Sequence, residues 1–230
     1  MIAAQGVKAY TSRMGTAERK ERQRAELREK ILGAARDIVV REGFGALSMR
    51  KLADAIEYAP ATLYLHFESR EDIARELSVR GFQQLLEYFT PTARIEEPLE
   101  QLNALAQAYV RFGLEHPETY RLVFMEDPKL NSALFGEGHE DLGMRAFEQL
   151  VRPFEELKAR GKLAKDADSR QLAEMVWAGV HGIVSLKLAC SGFQGTPAEP
   201  LTSTLVSTLV HGLPGLTGAA RPRAQEQLGT

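Results

Sequence analysis

The chain has 230 residues, 44% of them hydrophobic and 26% charged, enough to bury the core of one large or two small domains and too apolar for wholesale disorder. Its formal charge of −2 conceals an asymmetry: residues 1–80 hold fifteen Lys and Arg against twelve Asp and Glu, and the remainder fourteen against nineteen. A single cysteine, Cys190, excludes an internal disulfide and fits a reducing cytoplasm. The opening MIAAQGVKAYTSRMG lacks the apolar run of a secretory signal, and the longest apolar runs fall short of the ~20 residues of a membrane span.

Periodicity predicts helix along nearly the whole chain, so the expected class is all-α. Residues 1–18 and 214–230 carry no apolar face and read as flexible tails. The first helix shows its buried side at Leu27, Ile31, Ala34, Ala35 and Ile38 and stops at Gly43. Ser48 is placed to cap a second, short helix with Met49, Leu52, Ala53 and Ile56 inward, and Pro60 suits the first turn of a third. Ser69 caps a fourth, whose Glu71 and Asp72 complement the helix dipole and whose apolar face holds Ile73, Leu77 and Leu85.

Beyond Pro91 and Pro98, helices are expected over about Leu99 to Glu115, from Pro117 to near Met125, and around Phe147, Leu150, Val151, Phe154 and Leu157, with a long loop from Asp127 to Gly138. Pro153 is expected to kink its helix, and Gly161 to end it. Asp168 and Gln171 make a capping box for an apolar helix that reads as largely buried, and Leu201, Leu205, Leu209 and Leu213 mark the last.

The chemistry concentrates between Ser48 and Arg70. A helix that enters the major groove needs short or planar polar groups on one side and apolar anchors behind. Ala61, Thr62, Tyr64 and His66 supply the first, Leu63 and Phe67 the second. Thr62 and Tyr64 can bond phosphates or base edges, and Ala61 allows close approach to a thymine methyl. Arg50 and Lys51 place charge and free amides near a phosphate, and Arg70 can neutralise another.

Leu52-Ala53-Asp54-Ala55 followed by Thr62-Leu63-Tyr64-Leu65-His66-Phe67-Glu68-Ser69-Arg70 resembles the DNA-binding head of the TetR/AcrR regulators, over about Ala25 to Leu77. The resemblance implies that Ser48, Arg50, Thr62, Tyr64 and His66 touch DNA; Arg70 stands where the family usually has Lys. Two positions depart from the family pattern: Glu57 in place of a turn glycine, and Ala59 in place of a Ser or Thr cap. Trp177-Ala-Gly-Val-His181-Gly182 and His116-Pro-Glu-Thr-Tyr120-Arg121-Leu122 are similar to the C-terminal region of one subgroup. That likeness implies a head over residues 19–80 and a ligand-binding, dimerising body over 81–213, with a homodimer joined through the last two long helices.

Walls for an apolar ligand are available in Tyr109, Phe112, Tyr120, Phe124, Met144, Phe147 and Trp177, with His181 as polar anchor, although such residues also serve as plain core. The small residues Ala178, Gly182, Ser185 and Ala189 suit close approach of a partner helix, with Leu205 and Leu209 on the last helix beside them. The five histidines and one cysteine have no metal-ligand spacing, and no nucleophile elbow, phosphate loop or dinucleotide fingerprint is present. The expectation is a cytoplasmic, non-enzymatic regulator without cofactor or membrane contact. Its partners would be a palindromic operator, a second copy and a small apolar effector that releases it. An architectural DNA binder that needs no inducer is the alternative.

Overall fold

Nine α-helices and two 3-10 turns, without a strand, make up the described residues of the computed structural model, which are 3–125, 142–190, 192 and 195–212. The chain divides into two compact units, Met1–Val79 with Arg121–Glu137, and Arg80–Tyr120 with Gly138–Thr230. The loop expected from Asp127 to Gly138, and the tail from 214, lie outside the described residues.

In the first unit α1 spans Ala3–Glu42, beginning inside the segment read as a tail. It buries Ile31, Leu32, Ala35, Ile38 and Val39. Gly43 ends it with φ 80, a conformation that glycine adopts without a Cβ penalty, and its N–H bonds Val39 O at 2.8 Å. A 3-10 turn, Phe44–Ala46, leads to α2, Met49–Ile56, where the Ser48 hydroxyl accepts the Lys51 N–H at 3.2 Å.

The turn after α2 is built without its usual glycine. Glu57 is left-handed at φ 61, ψ 44; its N–H bonds Asp54 O at 3.3 Å, and the Tyr58 N–H bonds Ala53 O at 3.0 Å. This is a Schellman ending in all but residue type. Lys30 compensates, donating to Ile56 O at 3.0 Å while its ammonium sits 5.1 Å from the Tyr58 ring centroid. The next helix, α3, is the single turn Pro60–Leu63, and Ala59 at its cap makes no side-chain bond. Bonds from Leu65 N–H to Thr62 O and from His66 N–H to Leu63 O carry the chain on as tight turns. Then α4 spans Arg70–Phe89, with the Ser69 hydroxyl accepting the Asp72 N–H at 3.1 Å.

The second unit is arranged around α5, Pro98–Glu115, which follows a 3-10 turn at Thr90–Arg94. After α6, Pro117–Phe124, come α7, Leu142–Ala159, running through Pro153, then α8, Ser169–Ala189, and α9, Ala198–His211. Three helices, α7, α8 and α9, pack on α5. That is why α5 is buried on so many sides, at Leu102, Leu105, Ala106, Tyr109, Val110, Phe112 and Gly113 among others. Two glycines set the spacing. A Cβ at Gly113 would lie 2.6 Å from Val184 Cγ1 of α8, and one at Gly179 would lie 2.6 Å from Leu205 Cδ2 of α9.

Asp168 opens α8 by accepting the N–H groups of Arg170 and Gln171 at 3.0 and 3.2 Å. The expectation that this helix is largely buried is corrected: only 28% of its most apolar eighteen-residue window is buried within one chain. Val176, Val180, Ile183 and Val184 face the core, while Met175, Trp177 and Leu186 are exposed. By length and composition alone α8 could cross a membrane, a test that core helices also pass. Its caps, and its packing on α5, α7 and α9, are those of a packed helix.

Candidate nucleic-acid interface and effector site

Two anchors hold the short element Pro60–His66. Leu63 and Phe67 are buried, and Arg28 of α1 spans the turn between them, donating to His66 O at 2.7 Å, covering the Phe67 ring at 4.1 Å and pairing with Glu76. What remains outward is the set read from sequence. Ala61 is exposed, Thr62 and His66 are half-buried, and Tyr64 is 56% exposed. The His66 imidazole is held below its ordinary value, first by desolvation and then by the charges of Arg24 and Arg28; its buried Nδ1 has no hydrogen-bond partner.

The cations around this element differ in freedom. Arg50 is exposed, with no ion-pair partner among the described residues, and sits one residue inside the α2 cap of Ser48. Lys51 pairs with Glu42. Arg70 is tied down further: its Nε meets Glu71 at 2.8 Å, its Nη1 donates to Leu47 O at 3.0 Å, and its guanidinium lies 4.9 Å from the Phe44 ring centroid. The same guanidinium holds the Glu71 carboxyl below its usual range. Arg70 therefore fastens the start of α4 to the segment that leads into α2.

The body residues read as ligand walls fall into three groups. Four converge. The Tyr120 hydroxyl lies 2.6 Å from His181 Nδ1 and 3.1 Å from the Tyr109 hydroxyl, and Trp177 Nε1 donates to the Tyr109 hydroxyl at 3.1 Å. His181 Nε2 meets the Ser185 hydroxyl at 3.2 Å, and Tyr120 and His181 stack with centroids 5.6 Å apart. Burial pushes the Tyr120 hydroxyl up to about 12 and Tyr109 well above its ordinary value, and desolvation lowers His181.

Phe147 and Met144 border this cluster. Phe147 lies 6.2 Å from Trp177, centroid to centroid, with the Arg170 guanidinium over its ring at 5.1 Å, and the exposed Met144 accepts from Arg170 at 3.4 Å. Phe112 stands apart, edge-on to Tyr88 at 5.7 Å and near His116 at 5.8 Å. Phe124 belongs to the first unit and is half-buried. A small apolar cavity elsewhere in the body is lined by Phe154, Leu172, Met175, Val176, Leu209 and Val210.

Sequence reasoning passed over Arg28, Gly113 and Gly179. An isolated glycine within an apolar helical pattern is the available signal for the last two. Of the positions read as dimer contacts, Ala178 and Ala189 are exposed, and a Cβ at Gly182 would meet nothing within 4 Å. Leu205 and Leu209 are half-buried, Leu205 against Gly179 of the same chain.

Residues 31–77 match the family described as bacterial regulatory proteins, tetR family, and residues 102–213 match the tetracyclin repressor-like C-terminal domain. The chain belongs to the TetR family. Its curated relatives include the uncharacterized HTH-type transcriptional regulator YobS of Bacillus subtilis, 29% identical over 96 residues, which are 42% of this chain and 50% of YobS. The HTH-type transcriptional regulator UidR of Escherichia coli is 33% identical over 76 residues, 33% of this chain and 36% of UidR. These matches span half or less of the curated relatives' length. Among solved structures, the TetR family regulator PfmR of Thermus thermophilus has the same fold, with a TM-score of 0.60 at 20% identity over 83% of this chain and 99% of PfmR.

Proposed function

We propose that this chain is a dimeric, sequence-specific transcriptional regulator: a repressor that binds a palindromic operator and is released by a small apolar effector. The observation that carries the reading is the short element at Pro60–His66. It is anchored by Leu63, Phe67 and Arg28 and turns Ala61, Thr62, Tyr64 and His66 outward. Ser48 and Arg50 flank it as phosphate contacts. Lys51 and Arg70 can join them, Arg70 chiefly by positioning α2 against α4.

The exposed apolar side of α8, with Ala178, Gly182, Ser185 and Ala189 and with Leu205 and Leu209 of α9, supports pairing with a second copy. Two reading elements set about 34–36 Å apart would then reach successive major grooves. The Tyr109–Tyr120–Trp177–His181 cluster, bordered by Phe147 and Met144, supports an effector that is mostly apolar, and the Trp177 and His181–Gly182 motif supports membership of the corresponding subgroup. An effector releases DNA only by its differential affinity for two conformations of the body. Such a regulator works in the cytoplasm and needs neither cofactor nor catalysis.

The test is operator selection from random duplex DNA, followed by gel shift. Tyr64→Ala or Thr62→Ala should weaken binding by ~1–3 kcal/mol with the circular dichroism unchanged. Undiminished affinity in both variants removes the assignment of this element.

A further inference from the structure

The reading element accounts for little of the positive charge in the first forty residues. Of the cations among residues 17–40, Arg28 is committed to His66, Phe67 and Glu76, Lys30 to Ile56, Arg22 to Glu26 at 3.7 Å, and Arg36 to Asp37 at 3.7 Å. Arg19, Lys20 and Arg24 remain. All three are exposed, and among the described residues none has an ion-pair partner. They lie on α1 well inside its helical span.

Their placement on that helix is specific. Residues four apart share a face, so Lys20, Arg24 and Arg28 form one row, with Arg19 beside Lys20. Arg28 fixes the lower end of that row to the backbone of the reading element. Arg24, one turn upstream, is close enough for its charge to depress His66. Lys20 follows about 6 Å further along the axis, at ~1.5 Å per residue. Residues 17–24 are exposed throughout, and their acids, Glu18 and Glu21, leave the stretch net positive. A basic row continuous with an element that faces DNA has one complementary surface at hand, the phosphate backbone beside the bases being read.

We propose that Arg19, Lys20 and Arg24 contact the sugar–phosphate backbone of the duplex flanking the operator core, lengthening the footprint without adding sequence preference. The inference rests on the assignment of Pro60–His66 as the DNA reader. Phosphate contacts made through cations release counterions, so they register as salt dependence and as a need for flanking duplex.

The experiment uses the full-length protein and an operator core selected from random DNA, on duplexes that either end at the core or extend about one helical turn of unrelated sequence on each side. The triple variant Arg19→Gln, Lys20→Gln, Arg24→Gln is compared with wild type over a salt series, with Tyr64→Ala as the control on the reader. Wild type should prefer the extended duplex and the variant should not, while both select the same core. Each lost contact lowers the log–log salt slope by about 0.9, so over a fourfold rise in salt wild type should lose about 40-fold more affinity than the variant for each protomer whose three cations contact phosphate, and roughly the square of that factor when both protomers of the dimer do. The charge-keeping variant Lys20→Arg, Arg24→Lys should behave as wild type.

An unchanged slope and flank preference in the triple variant, with Tyr64→Ala impaired, overturns this inference and leaves the reader intact. Undiminished binding by both Tyr64→Ala and Thr62→Ala overturns the reader and this inference with it. A triple variant whose selected core sequence shifts would show that the row reads bases, and would also overturn the inference.

Discussion

Replacing Gly113 with alanine tests whether the α5–α8 contact is as close as its geometry requires. A helix-interior Gly→Ala change by itself stabilises by about 1 kcal/mol. Here the new Cβ would sit 2.6 Å from Val184 Cγ1 and 2.9 Å from Tyr120 Cδ2. Neither neighbour can swing aside. Val184 is fully buried and stiff at χ1, and Tyr120 is fully buried with its hydroxyl engaged by His181 and Tyr109. Overpacking of this kind costs ~1–3 kcal/mol, so the net expectation is a destabilisation of about 1 kcal/mol, or ~2–4 °C in Tm. Trp177, the single tryptophan, donates to the Tyr109 hydroxyl and should report the displacement as altered fluorescence at temperatures where the fold is intact. Thermal melts followed by that fluorescence measure both effects. A higher Tm with unchanged emission would mean that helix propensity wins, and the close approach would be refuted.

At the head, Glu57→Gly should relieve a left-handed residue whose strain is ~1–2 kcal/mol at the expense of ~0.5–1 kcal/mol of extra chain entropy. A net gain of about 0.5–1 kcal/mol by denaturant titration is expected, and a loss would mean that the Glu57 side chain makes a compensating contact. For pH, desolvation holds His181 below its ordinary 6.5, so below that value the unfolded chain takes up a proton that the folded one resists. Stability should therefore fall as pH drops through and beneath 6.5 and should be indifferent above it. His181→Gln should flatten that acid limb in Tm-versus-pH measurements, leaving the share of His66, which is lowered for related reasons; an unaltered limb would contradict the assignment.

Local chemistry made much of the architecture legible in the sequence, and tertiary closure made the rest illegible. Ser48, Ser69 and Asp168 were readable as caps because a short oxygen side chain before an apolar periodic run has few other uses, and each accepts the amides expected of it. Glu57 was readable as a strained position for the same local reason. The brevity of α3 was not: just beyond its end the chain is held by Arg28, a residue of α1 that bonds His66 O across 38 residues of chain. Among the body residues, the pair Trp177 and His181 was visible from its spacing on one helix. That Tyr109 and Tyr120 meet His181 depends on how α5, α6 and α8 pack, across 72 and 61 residues of chain. The error over α8 has a simple cause: an apolar helix states that its faces want covering, and composition does not state what covers them. Gly179 and Gly182 differ by less than one turn, yet Gly179 admits Leu205 of its own chain and Gly182 is open.

Under the proposed function, the polar cluster in the body constrains what an effector could do there. With His181 protonated at Nε2 alone, its contacts run as a single relay. Trp177 has only a donor and gives it to Tyr109; Tyr109 gives to Tyr120 at 3.1 Å; Tyr120 gives to His181 Nδ1 at 2.6 Å; and His181, neutral, gives from Nε2 to Ser185. The Tyr120 bond takes the single lone pair on Nδ1, so the 3.3 Å approach of Tyr109 to the same nitrogen is left as a secondary contact. With both tyrosines buried, a hydrogen bond of theirs that is broken and not replaced costs ~1–3 kcal/mol. A polar ligand that inserts into the chain must return a bond for each one it takes. An apolar ligand lodged at the exposed edge formed by Trp177, Phe147 and Met144 takes none. If an effector binds here as proposed, the geometry favours an apolar one for an electrostatic reason as much as a hydrophobic one, with the Trp177 end the place of least cost to the fold.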